Sequence, residues 1–245
     1  MLLEVQNLRK SFGRLAVLAD VSFEVHKGEL KSIIGPNGAG KTTLFNVMTG
    51  RISLDSGKIL FQGRDVTGAK SHVLSQFGMA RSFQINNFFP NLSTLENIQL
   101  AIQSRLKGGT SSWRRFSKGD GVEEKTLEIL EMVGLREHRD EQALNLSYGD
   151  QRKLEIGLAL GTDPALLLLD EPTSGMSRFE SRSMIDLIEK LSRKVTIILI
   201  EHDIELVMRV SHSILVIHYG QKIAEGTPAE IERNEEVQRV YLGGL

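Results

Sequence analysis

The 245-residue chain contains no cysteine, and only 5 prolines, 1 tryptophan and 3 tyrosines. Without cysteine there are no disulfides, no thiolate zinc sites and no cysteine nucleophile. Charge of one sign is also missing: 30 basic against 31 acidic residues leave a formal net charge of -1. No global field draws the chain to a polyanion, so nucleic acid is not an expected partner. Long hydrophobic runs are absent as well. The longest are five or six residues, such as Ala165 to Leu169 and Val195 to Ile200, whereas a membrane-spanning helix needs about 20. The opening MLLEVQNLRKSF carries Glu4 and no apolar stretch of signal-peptide length, so a secretory leader is not expected. What remains is an ordinary globular composition, 40% apolar and 25% charged, long enough for a sizeable buried core. Its peculiarity is 23 glycines, whose positions carry much of the reading.

The first 65 residues read as strands separated by turn signals, which predicts antiparallel hairpins. A buried strand over Leu30 to Ile34 then runs into Gly35, and a helix is predicted from Lys41 to Met48 with Gly50 beyond its end. The stretch from Asn86 to Gly161 is different and helical. One helix is predicted over Val122 to Val133, stopped by Gly134, and another carries Leu154 and Leu158 and ends at Gly161. The polar stretch from Lys107 to Gly121 reads as a loop or lid. From Ala165 onward, aliphatic runs alternate with a helix whose Met184, Leu187, Ile188 and Leu191 follow i, i+3, i+4, i+7. Runs buried on both faces and alternating with helices predict a parallel sheet. The expected fold is therefore α/β: a nucleotide-binding core with an antiparallel β subdomain over 1–85, an inserted α-helical subdomain over 86–161, and the core continued over 162–245.

Gly35-Pro36-Asn37-Gly38-Ala39-Gly40-Lys41-Thr42 fits GxxxxGK[ST] between a strand and a helix. Glycines let successive N–H groups turn inward, so that the loop and the helix N-terminus cradle phosphate oxygens. Lys41 is assigned to the β- and γ-phosphates, Thr42 to Mg²⁺ and Thr43 to the α-phosphate. Asp170 and Glu171 end the aliphatic run 165–169, at the sheet edge where ligands bind in open α/β folds. Asp170 is assigned to Mg²⁺, and Glu171 to polarising the water that attacks the γ-phosphate. His202 follows the next aliphatic run and falls near the same edge, suited to orienting that water. The plainer alternatives are an acid capping the Pro172-Thr173 turn and a structural histidine.

Together these residues resemble the ATP-binding cassette (ABC) ATPases, and the match spans nearly the whole chain. Leu146-Ser147-Tyr148-Gly149-Asp150-Gln151 resembles the family signature LSGGQ, with Tyr148 in place of a glycine and Asp150 before the glutamine. Gln84 is similar to the glutamine that opens the helical subdomain and reaches Mg²⁺ and water, and Phe12 to the aromatic that stacks on adenine. Ser174 to Ser177 resembles the D-loop, with Ser177 where an acid or Asn is usual. The resemblance implies that two cassettes pair head-to-tail around two ATPs. Ser147 and the Gly149 N–H of one would then meet the γ-phosphate held by the other. The partner cassette is either a second copy or a paralogue.

Ala80-Arg81-Ser82-Phe83-Gln84, Phe88-Phe89-Pro90, Leu92-Ser93-Thr94-Leu95-Glu96-Asn97 and the ending Val240-Tyr241-Leu242-Gly243 resemble one branch, the ATPases of branched-chain or hydrophobic amino-acid importers. A sister branch that imports urea is similar, and both solutes stay open at this point. The resemblance implies a peripheral subunit on the cytoplasmic face of the membrane. Its permease would be received around Gln84 to Glu96, and a substrate-binding protein would act indirectly. Phe88 and Phe89 are either permease contacts or helical-subdomain core. Trp113, Arg114, Arg115 and Lys118 are either a solvated loop or a membrane contact. A soluble, non-transport cassette is the less favoured reading, since the insert is too short for a coiled coil and the chain carries one cassette. A GTPase or kinase explains neither the signature nor His202.

Overall fold

The computed structural model describes residues 1–82, 88–106 and 121–242. Two sheets lie within it. The first is antiparallel, in the order β2-β1-β4-β5, from β1 (Leu3–Phe12), β2 (Leu15–Val25), β4 (Ser56–Phe61) and β5 (Arg64–Asp65). The hairpin expectation holds, with β1 and β2 longer than short strands, at 10 and 11 residues. The second sheet runs β10-β9-β3-β8-β7-β6. Its strands are β3 (Leu30–Ile34), β6 (Met79–Arg81), β7 (Leu166–Asp170), β8 (Thr196–Ile200), β9 (Ser213–His218) and β10 (Gln221–Gly226). All are parallel except β10, which pairs antiparallel with β9.

The continuous apolar runs have a simple cause: both faces of the parallel sheet are buried. Leu166, Leu168, Ile198, Ile200, Leu215 and Ile217 turn to one side. There they pack with Phe45 of α1 (Lys41–Met48) and with Leu3, Val5 and Phe23 of the antiparallel sheet. The alternate residues Leu167, Leu169, Ile197, Leu199, Ile214 and Val216 turn to the other side. They join α6 (Arg178–Ser192) and α7 (Ile204–Val210) in a second core. Each such buried aliphatic side chain contributes about 1.5–3 kcal/mol, so these five- and six-residue strands need no amphipathic pattern to be stable.

The middle of the chain is helical as expected, with α3 (Thr94–Leu106), α4 (Val122–Val133) and α5 (Tyr148–Gly161) packed on one another. A short α2 (Ser71–Gln76) precedes β6, and α8 (Pro228–Glu232) and α9 (Glu235–Leu242) close the chain. Gly134 stops α4 in the left-handed conformation, φ 71°. Gly161 is a different matter. It is the last helical residue of α5, with Thr162 as the cap, and its hydrogen lies where a Cβ would stand 2.9 Å from the Ala101 Cβ of α3. One turn earlier, a Cβ on Gly157 would stand 3.1 Å from Ile98. Both glycines let two helices approach, and α5 ends at Gly161 as expected.

The Leu92 to Asn97 segment has a local rationale. Ser93 and Glu96 exchange hydrogen bonds as a capping box at the start of α3. Buried Asn97 holds the loop before it through the Phe89 N–H and the Phe89 and Ser93 carbonyls. This loop splits the aromatic pair: Phe88 is buried in the core shared with α3 and α5, and Phe89 is exposed. The two-fold choice made for both therefore resolves differently for each. Gln84 and the Trp113 to Lys118 cluster lie outside the described residues.

Candidate functional site

The site grows from the carboxyl edge of the parallel sheet. There β3 delivers the glycine loop, β7 delivers Asp170 and Glu171, and β8 delivers His202. The loop needs glycine at Gly40, whose φ is 103° and where a Cβ would stand 2.7 Å from the Val17 carbonyl of β2. The Lys41 ammonium is drawn back over the loop, donating to the Gly35 carbonyl at 2.6 Å and the Pro36 carbonyl at 3.0 Å. Burial pushes its pKa below the ordinary lysine value, opposed by the nearby carboxylates of Glu171 and Asp170. Those two acids and Lys41 are thus brought together, as their sequence positions require. Thr42 is exposed and Thr43 half-buried at the start of α1.

Asp170 and Glu171 are adjacent in sequence and unlike in surroundings. The Asp170 side chain is fully buried, and its Oδ2 accepts from Arg81 Nη2 at 2.6 Å. Arg81 comes from β6, beside β7. Its Nη1 also donates to Asn46 Oδ1 at 2.7 Å and Thr49 Oγ1 at 3.2 Å, and its guanidinium lies over the Phe45 ring. The second carboxylate oxygen, Asp170 Oδ1, is buried without a hydrogen-bond partner. An anionic oxygen in that condition is costly unless a cation uses it, which fits the assignment of Asp170 to Mg²⁺. Among the described residues no three His, Asp or Glu side chains form a metal cluster. A divalent ion here would therefore be shared between Asp170, the Thr42 hydroxyl and phosphate oxygens, the usual Mg²⁺ arrangement.

Glu171 has left the strand. Its φ is 48°, a left-handed conformation that costs about 1–3 kcal/mol for a residue other than glycine. Its N–H donates to the Ile200 carbonyl at 2.9 Å, and its Oε1 lies 2.6 Å from His202 Nε2. His202 is 46% exposed at the side chain, against 20% for Glu171, so the pair faces solvent on one side. Beneath them Glu201 accepts from the Thr173 N–H and hydroxyl and from the His202 N–H. Burial pushes the Glu201 carboxyl above its ordinary value, partly offset by those hydrogen bonds.

Phe12 stands at the turn end of the β1–β2 hairpin, 49% exposed, with Lys10 Nζ 5.4 Å from its ring centroid. The exposed ring is free for stacking. Ser147 caps α5, accepting from the Asp150 N–H at 3.1 Å and donating to Asp150 Oδ2 at 2.8 Å. Gly149 lies against Glu180, with a Cβ position 3.0 Å from Glu180 Oε1. Ser177 caps α6 in a full capping box with Glu180.

Three participants escaped the sequence reading. Arg81 was legible only as part of a run resembling importers, because its partner Asp170 lies 89 residues away. Glu201 is hidden by its place beside His202. Glu180 had a signal in the Ser-x-x-Glu spacing of a capping box.

Comparison with known proteins agrees from end to end. Residues 18–174 match the family model described as ABC transporter, and residues 221–244 match one described as branched-chain amino acid ATP-binding cassette transporter. The high-affinity branched-chain amino acid transport ATP-binding protein LivG of Salmonella typhimurium is 40% identical, over 99% of this chain and 98% of that one. The corresponding BraF protein of Pseudomonas aeruginosa is 38% identical over the same shares. Among solved structures, the ADP conformation of MJ1267, an ATP-binding cassette of an ABC transporter, superposes with a TM-score of 0.86 at 32% identity, covering 99% of this chain and 98% of that one. With the phosphate loop, the buried aspartate and the Glu171–His202 pair on one sheet edge, the chain belongs to the ABC transporter family as one of its ATPase cassettes.

Proposed function

We propose that this cassette hydrolyses ATP to drive uptake of branched-chain, hydrophobic amino acids through a separate permease. The observation that carries the solute class is the likeness of residues 221–244 to the branched-chain cassette model, beyond the catalytic core that cassettes of every solute share. It is supported by near-full-length likeness to LivG and BraF. No described helix is long and apolar enough to cross a membrane, so the path for the solute and the membrane attachment come from the permease. Exposed Phe89, in the segment that follows Gln84, is the apolar contact offered to it.

Within the site, the backbone N–H groups of the loop from Asn37 to Thr43 hold the phosphates, Lys41 neutralises them and Phe12 carries the adenine. Thr42, Asp170 and Gln84 would hold Mg²⁺, which would supply charge neutralisation to the phosphates when bound. Glu171 accepts the proton of a water whose oxygen attacks the γ-phosphorus, as the bond from that phosphorus to the ADP oxygen breaks. His202, already hydrogen-bonded to Glu171, keeps its carboxylate oriented. Ser147 and Gly149 act on the nucleotide of a second cassette, so ATP joins the two and its hydrolysis parts them.

Glu171→Gln keeps the site's shape and removes the base. It is expected to lower turnover by about 10²-fold or more and to trap an ATP-bound dimer on size exclusion. An ATP-loaded monomer would overturn the paired arrangement. In proteoliposomes carrying the chain with its permease, leucine, isoleucine and valine uptake should vanish in this variant. Uptake of urea, with none of leucine, would reassign the solute.

A further inference from the structure

The signature departs from the family at Tyr148, and the departure has a built environment. Tyr148 is the first helical residue of α5. A phenolic hydroxyl has one proton and two lone pairs. Arg152 donates to that oxygen twice, from Nη2 at 2.9 Å and Nε at 3.2 Å. Arg152 is itself anchored by Glu155, Nη1 to Oε2 2.9 Å, with both side chains largely buried, and its guanidinium lies over the tyrosine ring. With its oxygen occupied by the arginine, the hydroxyl spends its proton on the Ser174 carbonyl at 3.2 Å. The ring lies against Gly175, whose Cβ position is 3.5 Å from it.

A second tie runs alongside. Glu180 Oε2 accepts from the Ser177 hydroxyl at 2.6 Å and the Ser177 N–H at 2.9 Å. Gly149 packs against the same carboxylate, its Cβ position 3.0 Å from Glu180 Oε1. Glycine at 149 admits this contact, since any side chain there would push the carboxylate away. Ser174 in turn donates its N–H to the Glu171 carbonyl at 3.0 Å. One residue therefore separates the signature tyrosine from the backbone of Glu171.

We propose that Tyr148 is a positioning residue that, with Glu180, clamps the signature end of α5 to the turn 171–177. The clamp ties the phosphate receptor presented to a partner's nucleotide to the turn that carries this chain's own Glu171. Tyr148 touches neither nucleotide; it acts through Ser174. The consequence for turnover rests on the paired-cassette reading above, while the clamp itself is a property of the single chain.

Two measurements on the full chain separate these levels. Hydrogen–deuterium exchange of the nucleotide-free protein reads the clamp directly. Tyr148→Phe keeps the ring and removes the hydroxyl, and with it the bond to Ser174 and the two from Arg152, so amides of 173–177 should exchange about fivefold faster. Unchanged exchange there overturns the proposal. ATP turnover then reads the consequence. Tyr148→Phe should lower kcat about five- to tenfold, with a Hill coefficient falling toward one and binding of a fluorescent ATP analogue by the monomer unchanged. Wild-type kcat and Hill coefficient in Tyr148→Phe, or a loss confined to monomer affinity, also overturn it. Glu180→Gln should give non-additive losses when combined with Tyr148→Phe; strict additivity would separate the two ties. Faster exchange in a protein whose wild type hydrolyses no ATP would instead sink the ATPase reading and leave the clamp standing.

Discussion

Two helix N-termini in this molecule are suited to anions, and they are furnished in opposite ways. That of α1 is bare: its cap is Gly40, with no side-chain cap and no acid in the first turn. The donors of the loop converge with Lys41 beside them. That of α5 is filled by the chain itself. Ser147 caps it, Asp150 sits in its first turn, and Glu180 packs against Gly149. A helix N-terminus carries about half a positive charge and four unpaired N–H groups. At α1 these are left for phosphate. At α5 the chain's own Ser147 and the carboxylates of Asp150 and Glu180 occupy that end, and in the proposed pairing a partner's phosphate would displace the carboxylates. On the function proposed above, the first serves this chain's own nucleotide and the second that of a partner cassette.

The contrast can be broken at several points. The largest effect belongs to the α1 side, where the site rests on buried, paired charge. Arg81→Met leaves the Asp170 carboxylate buried without its cation, which should cost about 3–5 kcal/mol of stability by chemical denaturation. A change below about 1 kcal/mol would mean that solvent reaches Asp170. Next, Lys41→Ala removes a charge-assisted contact to phosphate worth about 1.5–3 kcal/mol, a drop in ATP affinity of about 10- to 150-fold in the monomer. Retained affinity would show that the loop N–H groups suffice alone. The smallest effect belongs to α5. Ser147→Ala should cost about 1 kcal/mol of stability through the lost cap and leave monomer ATP binding intact. It should still prevent the ATP-bound dimer in a Glu171→Gln background. If Ser147→Ala weakens monomer binding as Lys41→Ala does, the division of labour between the two helix ends is wrong.

Much of this was readable in advance, for local reasons. The spans of β3, α1 and α4 follow from apolar runs and flanking glycines, and the phosphate loop is a contiguous motif whose function lies in backbone N–H groups. The acid pair and His202 were placed correctly because a strand buried on both faces must present its next residues at the sheet edge. Gly161 marks the end of α5 as expected, but glycine at a helix end has two uses, a left-handed cap and a close helix contact. Only the neighbouring helix distinguishes them: Ala101 of α3 stands where the glycine's Cβ would go. Phe88 and Phe89 are identical neighbours in sequence, and one is buried and one exposed because Asn97 pins the loop between them and α3.

The sequence by itself thus determined which segments form strands and helices, and it put the glycine loop, the two carboxylates and the histidine at their strand ends. Those features depend on residues within a few positions of one another. Only the tertiary structure decided that Asp170 is neutralised by Arg81, that Glu171 stands at positive φ against His202, and that Tyr148 is joined to Ser174. Those partners are 89, 31 and 26 residues apart. Strand order and helix crossing set such pairings, and no local pattern encodes them.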